Sequence, residues 1–139
     1  MAQARTNATL ALIVEDDPAT RTLEEIVLQA DGFAVLTAKN GEEGIRLARE
    51  RCPAVILLDL ALPTASGFDV LKTLKGSADT AQIPVVVISA YANLVENCGT
   101  RGVSGCVQKP FDIDDLVSEV RLALRRVPEQ PVLAMASHA

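Results

Sequence analysis

Two apolar spacings alternate along the chain. Nearly unbroken apolar runs occupy residues 10–14, 33–37, 54–58 and 83–88, with a shorter one inside 103–108. Runs of this length without polar alternation suit strands covered on both faces, as in the centre of a parallel sheet. Between them apolar residues recur every three or four positions, the helical period. After Pro18, which suits an early helical position, Leu23, Ile26, Val27 and Ala30 predict an inward stripe on a helix over about residues 19–29, stopped by Asp31-Gly32. Asn40-Gly41 opens a second helix with Ile45 and Ala48 inward, ending before Pro53. A third, over about 68–75, buries Phe68, Leu71 and Leu74 and is capped by Gly76. Residues 91–101 hold only a short helical segment before Gly99 and Gly102, so an irregular or short fourth helix is expected there. Asp112, with Asp115 three residues on, starts a final helix whose stripe is Ile113, Leu116, Val117, Val120 and Leu124.

Five strands alternating with helical segments predict one α/β domain, a doubly wound parallel sheet with helices on both faces. Residues 1–8 read as a loose leader, 9–127 as the domain, and 128–139 as a disordered tail of proline and small residues.

Charge narrows the function. Thirteen basic against eighteen acidic residues in 139 give a net charge of −5, and no Lys/Arg run can track a phosphate backbone. Direct nucleic-acid binding is therefore disfavoured. No apolar stretch approaches the ~18 residues that cross a bilayer, so no membrane partner is expected. Cys52, Cys98 and Cys106 lack paired zinc or redox spacing and read as reduced thiols in a cytoplasmic protein, with Cys106 a buried small hydrophobe. Arg121, Arg125 and Arg126 read as a solvated face that suits the last helix's dipole.

Candidate chemistry collects where strands end. Glu15-Asp16 follows the first strand, Asp59 the third, Ser89 the fourth and Lys109 the fifth. Right-handed crossovers bring these ends to one edge of the sheet, where open α/β folds keep their ligands. Clustered carboxylates repel one another unless a cation joins them, and hard oxygen ligands suit Mg²⁺. An ionised Asp59 is then a candidate nucleophile toward phosphorus, with Lys109 and the Ser89 hydroxyl as partners for phosphoryl oxygens.

The segments Leu12-Ile13-Val14-Glu15-Asp16-Asp17-Pro18, Asp59 with Leu62-Pro63 and Gly67, Ser89-Ala90, and Gly105 through Lys109-Pro110-Phe111 together resemble the receiver domain of two-component response regulators. The similarity covers about residues 9–126. It implies a flavodoxin-like sheet of strand order 2-1-3-4-5, and Asp59 as acceptor of a phosphoryl group from a histidine kinase or phosphotransfer protein. It further implies Asp16, Asp59 and the Ala61 carbonyl as Mg²⁺ ligands, with Glu15 acting partly through water. Ser89 would be the switch hydroxyl, Lys109 the phosphate-binding lysine, and Lys109-Pro110 a cis peptide.

Cys106 departs from the family pattern, standing where members usually carry Tyr or Phe. The resemblance further implies that the residues two past the acceptor and the switch hydroxyl control water access; here these are Ala61 and Tyr91, which cannot orient water as a carboxamide or carboxylate does, so slow self-dephosphorylation is expected. The resulting expectation is a stand-alone phosphoacceptor switch, not an enzyme, that signals by protein contact or phosphorelay. The alternative is a receiver-fold module that docks its partner regardless of phosphorylation. A phosphatase of the haloacid dehalogenase type would need an acid at Ala61, and a flavodoxin would not place Glu15-Asp16-Asp17 in its phosphate loop.

Overall fold

The strands are β1 (Leu10–Val14), β2 (Ala34–Ala38), β3 (Val55–Asp59), β4 (Val85–Ser89) and β5 (Gly105–Gln108). The helices are α1 (Pro18–Ala30), α2 (Gly41–Arg51), α3 (Gly67–Lys75) and the last helix, α4 (Ile113–Arg125). They come from a computed structural model that describes residues 8–62, 66–90 and 102–125. The expected irregular fourth helix, Tyr91, Cys98, the leader's first seven residues and the tail lie outside the described residues.

All strand pairs are parallel, in the order β2-β1-β3-β4-β5. This is the expected flavodoxin-like order. β3 is central and buried along its whole length, as its lack of alternation requires. Strand residues still alternate between two cores. Leu12, Val14, Ile56, Leu58, Val85 and Val87 share one with Ala48 of α2 and Val70, Leu71 and Leu74 of α3. Ala11, Ile13, Val55, Leu57, Val86 and Ile88 share the other with Val27 and Leu28 of α1 and Leu116, Val120 and Ala123 of α4. Continued by two, the second series reaches Glu15 and Asp59, so both acids extend the stripe facing α1 and α4.

Local signals set the helix starts. The Asp17 carboxylate accepts from Thr20 N at 2.9 Å ahead of Pro18, and the Asn40 side chain accepts from Glu43 N at 2.8 Å. Each such cap is worth about 1 kcal/mol. Ser66 does the same for α3, accepting from Phe68 N at 3.1 Å.

Three expectations are corrected. On α1 the buried residues are Glu24, Val27 and Leu28, whereas Leu23 and Ile26 are 43% and 57% exposed. The two stripes differ by one step of helix rotation, and the observed one carries Glu24 on the buried face beside Val27 and Leu28. On α4, Ile113 is exposed; Arg121 is solvated as expected, and its guanidinium also holds Asp31 through Nη2 and, at 2.9 Å, through Nε. Cys106 is disulfide-bonded, not reduced, and only half-buried, while Cys52 is free. Cysteine pairing depends on distance in space, which spacing along the chain does not reveal.

Candidate functional site

Three strand ends build the site. Beyond β1, Glu15 N still bonds to Ala38 O at 3.0 Å, so Glu15 keeps a strand-like position and is 1% exposed. The turn then leaves the sheet. Asp16 is exposed, and Asp17 caps α1 and donates its N–H to Glu15 Oε2 at 3.3 Å. Asp59 closes β3, 4% exposed, and Oδ1 accepts from Ala61 N at 3.1 Å. From the end of β5, Lys109 N bonds to Ser89 O at 2.7 Å, and its Nζ reaches Glu15 Oε1 at 3.2 Å and Asp59 Oδ2 at 3.4 Å. The Lys109-Pro110 peptide is cis.

Glu15, Asp16 and Asp59 each offer a carboxylate oxygen, and these oxygens lie within 4.8 Å of one another. Their electrostatics follow from that crowding. Burial and the neighbouring Asp59 charge push Glu15 up to about 7, against the opposing pull of Lys109. Burial alone would lower Lys109, but the charges of Glu15 and Asp59 outweigh it and hold the ammonium above its ordinary value. One lysine faces three acids, so a small divalent cation suits the remaining charge, and the all-oxygen donor set suits Mg²⁺.

The sequence-predicted Glu15, Asp16, Asp59 and Lys109 are thus together. Ala61 touches the site through its N–H to Asp59. Ser89 ends β4, 1% exposed, in register with Gln108.

Glu24 had no place in the sequence reading. It is buried on α1, its Oε2 has no hydrogen-bond partner among the described residues, and burial followed by repulsion from Glu15 raises it to about 8. A polar residue within a helical stripe of Val27 and Leu28 was the available signal.

The response regulator receiver domain matches residues 11–121. The chain belongs to that family. The receiver is 36% identical over 128 residues to the DNA-binding dual master transcriptional regulator RpaA of Synechocystis, across 91% of this chain and 53% of that protein. It is 36% identical over 132 residues to the transcriptional regulatory protein KdpE of Mycobacterium tuberculosis, across 90% and 57% respectively. The chain therefore spans about half the length of these curated relatives. A putative response regulator from Chloroflexus aurantiacus superposes with a TM-score of 0.81 at 25% identity, covering 86% of this chain and 100% of that one. The receiver domain of sensor histidine kinase PA1611 from Pseudomonas aeruginosa, solved with a magnesium ion coordinated in its active-site cleft, shares the fold. Its TM-score is 0.77 at 24% identity, over 85% of this chain and 98% of that one. Among the described residues no helix is long and apolar enough to cross a membrane.

Proposed function

We propose that this receiver accepts a phosphoryl group on Asp59 from a histidine kinase or phosphotransfer protein and passes the change on by protein contact. The observation that carries the reading is the convergence on Asp59: two further carboxylate oxygens within 4.8 Å and the Lys109 ammonium at 3.4 Å. A carboxylate oxygen of Asp59 attacks phosphorus, an acyl phosphate forms, and the donor's P–O or P–N bond breaks with its electron pair leaving on the donor.

Glu15, Asp16, Asp59 and the Ala61 carbonyl would hold Mg²⁺, which when bound supplies the positive charge that lets two anions meet. Lys109 turns from Asp59 Oδ2 to a phosphoryl oxygen as a point charge. The Ser89 hydroxyl, at the neighbouring strand end, donates to another. Burial of Asp59 keeps bulk water from the acyl phosphate, and no side chain at Ala61 orients a water toward it. The protein is a switch whose covalent chemistry ends on itself, not a turnover catalyst.

Incubation with acetyl phosphate tests the reading. Phosphoryl incorporation is expected with Mg²⁺, absent with EDTA, and lost in Asp59→Asn. A partner whose affinity is the same for both forms would favour constitutive docking instead.

A further inference from the structure

The acidic turn between β1 and α1 is three residues long, Glu15, Asp16 and Asp17, and one residue holds all three of its carbonyls. Arg21, on the first turn of α1, donates from Nη1 to Glu15 O at 3.0 Å and to Asp16 O at 3.3 Å, while its backbone N–H bonds Asp17 O at 2.9 Å. The last is an ordinary first helical bond. The other two satisfy carbonyls beyond the reach of either ladder: the sheet has ended and the helix has not begun.

We infer that Arg21 is the positioning residue of the cation-binding acids, fixing the peptide planes that carry Glu15 and Asp16 so that their carboxylates converge on Asp59. The inference rests on the reading that this cluster holds Mg²⁺. Two carbonyls on one guanidinium nitrogen fix the backbone on either side of Asp16, and a side chain on fixed backbone has fewer directions to sample. Asp16 needs this most. It is exposed, with no core packing to aim it, whereas Glu15 and Asp59 are held by burial and by Lys109. The charge of Arg21 works the other way, since a cation beside a cation site opposes Mg²⁺. Geometry and charge therefore predict opposite signs when Arg21 is replaced.

Isothermal titration with MgCl₂ separates them, using wild type, Arg21→Met, Arg21→Lys and Asp59→Asn, with melting in EDTA confirming that each variant is folded. Arg21→Met removes the charge and both bonds at similar length; Arg21→Lys keeps the charge on a stem one bond shorter, which draws the donor nitrogen back from the position that Nη1 holds between the two carbonyls. The expected result is Mg²⁺ affinity about tenfold weaker in both, with phosphoryl incorporation returning to the wild-type rate at saturating Mg²⁺. Tighter or unchanged binding in Arg21→Met, or wild-type binding in Arg21→Lys, overturns the inference alone. Should Arg21→Met not fold, Arg21→Lys decides. A wild type that does not bind Mg²⁺, or binds it equally well after Asp59→Asn, removes the cation site and the inference with it.

Discussion

Glu24 puts a carboxyl in the core beside a site already crowded with carboxylates. In an unfolded chain it titrates near 4.5, and in the native protein near 8. Between those values the folded state holds a proton that the unfolded chain has lost, so its contribution to stability is full below the lower value and is lost as pH rises through the upper one. Glu15, raised to about 7, acts with the same sign. Replacing Glu24 with Leu removes a desolvated acid and an unpartnered oxygen, and urea unfolding in EDTA at about pH 8 should show a gain of about 1–3 kcal/mol. The decline in stability between about pH 5 and about pH 9 should also become shallower while keeping the share due to Glu15. An unchanged slope would mean that Glu24 does not carry that proton. Ala61 gives a second test at this scale. It is exposed and adjacent to Asp59, so Asn there has room to hold a water near an acyl phosphate. Ala61→Asn should shorten the phosphoryl lifetime, followed by loss of label after the donor is removed; an unchanged lifetime would count against water access as the limit. Asp59 was legible in the sequence because it follows an apolar run, and Lys109 because it ends a strand whose crossover brings it to the same sheet edge. Glu24 was not, because its own polarity argued for solvent.

At the scale of elements, β1, β3 and β4 declared themselves because burial on both faces leaves few polar residues to confuse the pattern. Helix rotation was harder. The face of α1 is decided by its packing against β1, β2 and α4, and Leu23 and Ile26 lost that contest despite their spacing. The start of α3 has a tighter constraint. A Cβ on Gly67 would sit 2.4 Å from Leu60 Cα and 2.6 Å from Asp59 O, both backbone atoms that cannot turn aside. Gly67 N also bonds Leu60 O at 3.0 Å, so α3 is docked directly onto the chain that carries Asp59. Gly67→Ala should cost about 1–3 kcal/mol in thermal unfolding and slow phosphorylation as well, by moving the end of β3. A variant with wild-type stability and rate would show that the helix can back away freely.

At the scale of the whole molecule, strand order followed from the motif order of the receiver family, and three strand ends meet as right-handed crossovers require. What the sequence hid was pairing through space, seen in the Cys106 disulfide and in Arg121 on Asp31. A cation bound only by the native state stabilises the entire fold. Mg²⁺ at 100 times its dissociation constant should therefore add about 2.7 kcal/mol and raise the melting temperature. Asp16→Asn should abolish that rise; its persistence would place the cation elsewhere. Identifying the residue that carries the phosphoryl group is more direct still. After reaction with acetyl phosphate and Mg²⁺, borohydride reduces an aspartyl phosphate to homoserine, and peptide mass spectrometry locates it. Homoserine at position 59 and nowhere else is the expected result; homoserine at Asp16 or Asp17, or at no position, would contradict the assignment of Asp59 as the acceptor.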